Sequence, residues 1–356
     1  MSASTSQSRA VASGLVLVDK PTGMTSHDVV ARVRRLAGAK KVGHAGTLDP
    51  MATGLLILGI NSATKLLTFV VGEDKTYIAT IRLGAATVTD DAEGDFIETN
   101  GFSSAQVAAN LSSLVAADGS VKLDVIASEV AKLTGEILQV PSSVSAIKVD
   151  GERAYALVRG GGDVTLKARP VKVSRFEVLG DPRVIQGGEP VSAGIDTENN
   201  FAADNRNFID LDVIVDCSSG TYIRALARDL GEALGVGGHL TALRRTRIGG
   251  YNLSMAQSLP ERDQVAALVS GADARPLGGL KLEPLAEAAL KRFAARELTD
   301  AEVIDLRHGK RIRVDSALTA KVGDEFAAIS PAGELVGILT QVNKFELKSL
   351  VVFADA

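Results

Sequence analysis

One cysteine, Cys217, among 356 residues excludes an intrachain disulfide and any zinc site built from a cysteine cluster. The four histidines, His27, His44, His239 and His308, are scattered and form no recognisable metal set. A reducing, cytoplasmic setting fits such a chain. Long apolar runs are missing too. Residues 1–13 are small and polar with one arginine, Arg9, and the apolar stretch from Leu15 to Val18 is interrupted at once by Asp19 and Lys20. Neither a signal peptide nor a membrane span is expected. Nor is there an excess of positive charge: the net charge is −4, so if RNA is the partner its footprint must be local.

What is present is enough apolar chain, 46% of the residues, for a sizeable core and a second, smaller domain. Residues 1–13 read as a frayed tail, 14–270 as the main domain and 280–356 as a small β-rich module, with the looser stretch Gly271–Gly279 as the boundary. Gly14 to Asp19 reads as a buried strand. Thr25 with Asp28 three residues later gives a capping signal for a helix whose apolar face is Val29, Val30, Val33, Leu36 and Ala37, ended by Gly38. That helix is basic outside, and Lys40 and Lys41 carry its charge onward.

Strands are expected at Leu55–Ile60 and Tyr77–Leu83, with a helical stretch at Thr64–Phe69 between them. Further helices are expected at Ser104–Ala117, Val125–Leu133 and Gly220–Leu234. Val171–Leu179 and Phe208–Asp216 alternate like neighbouring strands, and Asp181–Asn207 between them, rich in Gly, Asn, Asp and Glu, reads as a mobile insertion. The acidic loop Thr89–Asp95 lacks the spacing of a calcium loop, and no metal is expected there.

The run from Gly43 to Leu56 sets a single carboxylate, Asp49, among the glycines 43, 46 and 54 and before Pro50. Glycine allows backbone shapes closed to other residues, and proline biases its predecessor toward an extended shape, so the carboxylate is held in place. On spacing alone a plain turn remains the commoner explanation.

The wording of this run resembles the catalytic motif of the bacterial TruB family of tRNA pseudouridine synthases, which modify uridine 55 in the T-arm. In that family the aspartate is the nucleophile. Four further segments match in family order. Lys75-Thr76-Tyr77 resembles a Lys-x-Tyr motif whose tyrosine packs on the uracil and removes the C5 proton. Cys217–Arg224 resembles a signature in which the tyrosine, here Tyr222, lies in the pocket and the arginine, Arg224, pairs with the aspartate. Ser219 departs from that signature, which often has lysine there. Leu240–Arg247 resembles the segment whose leucine, Leu243, lines the pocket and whose arginines, Arg245 among them, face RNA. Asp19–Ser26 resembles the amino-terminal signature, so Lys20 supports the active-site loop or the RNA.

The resemblance gives His44 a place beside the extruded nucleotide. Lys148, Arg153, Tyr155 and Arg159 are implied as RNA or scaffold contacts. The implied fold is α/β (α+β): a mixed, mostly antiparallel sheet flanked by helices, and a small carboxy-terminal β-rich PUA-like RNA-binding domain. The implied enzyme is a monomer that takes the T-arm of tRNA and needs no cofactor or metal. Two alternatives stay open, a guide-RNA-dependent synthase and a tRNA-folding chaperone.

Overall fold

The computed structural model describes residues 12–97, 101–142, 148–149, 152–153, 166–186, 189–190, 207–270, 275–314 and 321–353. The chain forms two compact units, residues 1–72 with 248–356, and residues 73–247. This division cuts through the expected main domain and was not readable from composition.

The first unit begins with β1 (Gly14–Lys20), α1 (Ser26–Ala37), β2 (Val42–Ala45), β3 (Thr53–Ile60) and α2 (Leu67–Val71). Thr25 caps α1 as its spacing predicts: its hydroxyl accepts from Asp28 N–H, and the Asp28 carboxylate accepts from Thr25 N–H. Gly38 closes the helix in the left-handed region at φ 56°. β3 pairs antiparallel with both β1 and β2. Alternation along β1 and β3 supplies two cores. Val16, Val18, Leu56 and Leu58 face α1, whereas Leu15, Leu17, Leu55 and Ile57 face the other way.

The second unit carries β4 (Lys75–Leu83), α3 (Ser104–Ser113), α4 (Leu123–Lys132), β5 (Gly135–Gln139), β6 (Arg169–Gln186), β7 (Phe208–Cys217), α5 (Ile223–Ala233) and β8 (Gly238–Ile248). Its strands lie in the order β5-β6-β7-β4-β8. The expected neighbours β6 and β7 are antiparallel, but β6 runs on to Gln186 and pairs Ile185 with Phe208. The start of the expected insertion is therefore strand: after a register shift between Leu179 and Arg183 the pairing resumes, and residues 189–190 turn back onto β6. Residues 187–188 and 191–206 lie outside the described residues. At the end of α5 the backbone comes so close to Gly238 that a Cβ on Gly231 would lie 2.1 Å from its nitrogen.

The carboxy-terminal part of the first unit holds α6 (Gln264–Ser270), α7 (Leu285–Leu290), β9 (Ala294–Glu297), α8 (Asp300–Arg307), β10 (Ile312–Arg313), β11 (Glu325–Ile329), β12 (Leu335–Asn343) and β13 (Glu346–Val352). Its five strands form a sheet of their own in the order β9-β11-β12-β13-β10. Thr299 and Glu302 make a capping box at the start of α8.

This β-rich module is not set apart from what precedes it. Ala327, Leu335, Ile338 and Phe353 share one core with Leu15, Leu17, Leu55 and Ile57. The expected boundary is likewise packed where it is described: Leu277 within it, and Leu280 just after it, are buried against α1. Residues 271–274 lie outside the described residues.

Candidate functional site

Asp49 lies half-buried in the loop between β2 and β3, and the segment that follows β1 is wrapped around it. Gly23 N–H donates to the Pro50 carbonyl at 2.9 Å. Lys20 is fully buried, and its ammonium donates to the carbonyls of Pro21 (2.9 Å), Met24 (2.6 Å) and Pro50 (3.2 Å). Lys20 thus ties the segment after β1 to the loop at Pro50. Ser26, at the start of α1, bonds the backbone of Leu48. Gly46 and Gly54 take φ of 74° and 101°, which explains why glycine stands on each side of the carboxylate. The amino-terminal signature and the aspartate loop, read as separate motifs, are thus one local structure.

Replacing Lys20 by Met should leave three inward-facing carbonyls without their cationic donor. We expect a loss of about 2–3 kcal/mol in urea unfolding, and a slower reaction at saturating RNA because the loop is released.

His44 stands on β2 opposite Leu58, and its ring meets the exposed ring of His27 edge-on, with centroids 5.6 Å apart and planes at 81°. The α1 cations Arg34 and Arg35, with Lys40 and Lys41, are exposed in the same unit. They form a local patch of positive charge on a chain whose net charge is −4.

The other expected residues lie in the second unit. β4 sends Lys75, Tyr77, Ala79, Ile81 and Leu83 to its buried side. Arg224, on the first turn of α5, is buried; its guanidinium donates to the Thr89 carbonyl at 2.7 Å and lies 3.3 Å from the Asp91 carboxylate. Asp91 was missed in the sequence, where it reads as one of several acids in a solvated loop. Its carboxylate in turn accepts from Thr89 Oγ1 at 2.5 Å and Glu93 N–H at 3.0 Å, which fixes its direction.

Leu243 and Arg245 project to the same side of β8 and are both buried. Arg245 is therefore not one of the outward-facing arginines the resemblance implies: strand alternation puts it inside with Leu243, and Arg244 and Arg247 are the partly exposed ones. Burial, reinforced by the Arg245 guanidinium, pushes the Lys75 ammonium down to about 8. Burial pushes the Cys217 thiol up to about 11, so the one cysteine is a poor nucleophile.

Lys148 and Arg153 pair across a two-residue ladder, and their side chains lie outside the described residues, as do Tyr155 and Arg159. Among the described residues no group of three or more His, Cys, Asp or Glu stands ready for a metal ion, and no helix is long and apolar enough to cross a membrane.

Residues 34–223 match the sequence model of the TruB family pseudouridylate synthase N-terminal domain. The chain belongs to the TruB family. Residues 224–276 match the tRNA pseudouridylate synthase B C-terminal domain, and residues 293–354 the C-terminal domain of tRNA pseudouridine synthase II. The chain is 50% identical to tRNA pseudouridine synthase B of Leifsonia xyli over 343 residues, which cover 96% of this chain and 97% of that one. It is 48% identical to the protein of the same name in Paenarthrobacter aurescens, over 96% of this chain and 95% of that one.

Among solved structures, an H/ACA RNP bound to a substrate RNA containing 2'-deoxyuridine superposes with a TM-score of 0.62 at 23% identity, covering 96% of this chain and 84% of that chain. A Cbf5-Nop10-Gar1 complex gives 0.60 at 24%, covering 95% and 84%. These two share the fold. For this TruB-family chain, the α+β architecture expected from its motifs is the one observed.

Proposed function

We propose that this chain isomerises uridine 55 in the T-loop of tRNA to pseudouridine, acting alone as a cytoplasmic monomer. The reaction breaks the bond between ribose and N1, turns the uracil and rejoins it through C5. It calls for a nucleophile, an acceptor for the C5 proton and a pocket for the flipped base, and for no redox step.

Asp49 is the nucleophile, Tyr77 takes the C5 proton, and Arg224 is the cation that the family resemblance assigns to the aspartate. Tyr222 and Leu243 line the uracil pocket, and His44 stands beside the displaced nucleotide. Phosphates are drawn to the cations around α1, and Lys148 with the partly exposed Arg244 and Arg247 contributes to RNA binding. The carboxy-terminal sheet is a second, PUA-like contact for the tRNA.

The observation that carries this reading is the Asp49 loop itself: a half-buried carboxylate, flanked by left-handed glycines, with the backbone on each side of it held by buried Lys20 and Ser26. Near-full-length identity to two proteins named tRNA pseudouridine synthase B supports the substrate. The test is to incubate the purified chain with an unmodified tRNA transcript and map pseudouridine by position. Product at position 55 is expected, and none in the T-loop would defeat the proposal.

A guide-dependent mode is disfavoured, because the relatives at 48–50% identity over nearly the whole chain are named for tRNA. Activity on bare tRNA without any guide separates the two.

A further inference from the structure

Two buried side chains, Ser26 and Gln139, hold the backbone beside Asp49 and Arg224 in the same manner. Ser26 is 1% exposed, and its hydroxyl accepts from Leu48 N–H at 2.9 Å and donates to the Leu48 carbonyl at 3.1 Å. Gln139, the last residue of β5, is also 1% exposed; its Oε1 accepts from Tyr222 N–H at 2.8 Å and its Nε2 donates to the Tyr222 carbonyl at 3.0 Å. Each side chain thus takes both polar groups of one residue.

Leu48 immediately precedes Asp49, and Tyr222 is two residues before Arg224. Neither lies within a strand or helix, although the Tyr222 carbonyl also accepts from Leu226 N–H at 3.2 Å as α5 begins. Tyr222 is also the N-cap of α5 and makes no capping bond with its own side chain, which leaves Gln139 to supply one. A single hydrogen bond lets a peptide swing about it. Two bonds from one buried group set both its position and its rotation.

We infer that Ser26 and Gln139 are positioning residues, which aim Asp49 and Arg224 through the backbone without touching RNA. The inference rests on the reading that Asp49 and Arg224 carry the chemistry. A displacement of about 1 Å costs about 100-fold in rate, so the loss of either clamp should appear in the chemical step and not in RNA affinity.

The experiment uses the full chain with Ser26→Ala, Ser26→Thr, Gln139→Met and Gln139→Glu, a T-arm RNA, and hydrogen exchange of the free proteins. Ser26→Ala and Gln139→Met should each lose about 100-fold in single-turnover rate with RNA affinity unchanged. Ser26→Thr, which keeps the hydroxyl, should recover most of the rate. Gln139→Glu, which keeps length and one acceptor but loses the donor, should fall between.

The Leu48 amide should lose protection only in Ser26→Ala, and the Tyr222 amide only in Gln139→Met. A wild-type rate in a variant whose amide has lost protection overturns the inference, as does a fall in rate matched by an equal fall in affinity. Should Ser26→Ala or Gln139→Met not fold, a Gln139→Glu rate equal to wild type overturns it for Gln139, and a Ser26→Thr rate as low as that expected of Ser26→Ala overturns it for Ser26. Absence of T-loop product from the wild-type chain would instead defeat the reading of Asp49 and Arg224, and the amide protection would still report whether the clamps exist.

Discussion

Replacing Asp49 by Asn should abolish pseudouridine formation while leaving tRNA binding largely intact. The amide has the size and shape of the carboxylate but no charge to attack with, so a loss of at least about 10⁴-fold in single-turnover rate is expected. The loop should survive the change, because its fixed points are backbone groups: Ala52 N–H to the Asp49 carbonyl at 3.1 Å, Gly23 N–H to Pro50, and the Ser26 and Lys20 contacts. RNA affinity, read by filter binding, should therefore stay close to that of the wild type. Conversion of a T-arm RNA by the variant at an undiminished rate would remove Asp49 from the chemistry. A tRNA-folding activity retained by the variant would be a second property of the chain, since it needs the binding surface and not the nucleophile.

The local elements were legible because their signals are local. The Thr25 and Thr299 capping boxes, the left-handed stop at Gly38 and the alternation along β4 each follow from a few neighbouring residues. The double burial of β1 is written in the unbroken run Leu15-Val16-Leu17-Val18, which has no polar face to give to water. What that run cannot say is which partners cover each side. The carboxy-terminal sheet was expected as a separate appendage, yet its Ile338 and Phe353 complete the core on the Leu15 side. Sequence separation hides this, since more than 300 residues lie between the two.

The site was legible in part for the same reason. Asp49, Lys20 and His44 stand in segments whose wording is compact. Asp91 carries no such mark, and Ser26 and Gln139, though they stand in or beside matching segments, show no role there: a buried acid, serine or glutamine looks like a solvated one until its partner is known. Arg245 shows the converse error, in which an arginine was assigned to the surface although strand alternation with Leu243 takes it inside. The expected insertion failed at its start because polar residues such as Asp181 and Arg183 suggested a loop. Arg183 in fact makes a bidentate pair with Asp212 across the β6–β7 ladder.

That ladder continues onto β4, where the largest stability effect is expected. Arg82 and Asp210 are register partners, joined by two bonds of 2.7 Å, with side-chain exposures of 7% and 8%. The guanidinium also lies 5.2 Å from the centre of the Phe208 ring. Removing one partner leaves a buried charge without its counter-ion, so Asp210→Ala should destabilise by about 3–5 kcal/mol. At about 2–4 °C per kcal/mol for a unit of this size, the melting temperature should fall by roughly 6–20 °C.

Asp212 is the internal comparison. It accepts from Thr80 at 2.7 Å and from Arg183, but the Arg183 and Asp212 side chains are 25% and 32% exposed, so water screens the pair. Asp212→Ala should cost only about 1 kcal/mol. Replacing Arg82 and Asp210 together by Met and Leu should recover most of what the single change loses, because no buried charge is then left alone. Equal losses for Asp210→Ala and Asp212→Ala would show that burial does not set the scale here.

The consequence for function follows from β4 having two sides. Arg82 anchors one, while Tyr77 and Lys75 point from the other. Below its melting temperature the Asp210→Ala variant should still form pseudouridine, with its deficit growing as the strand that presents Tyr77 begins to open.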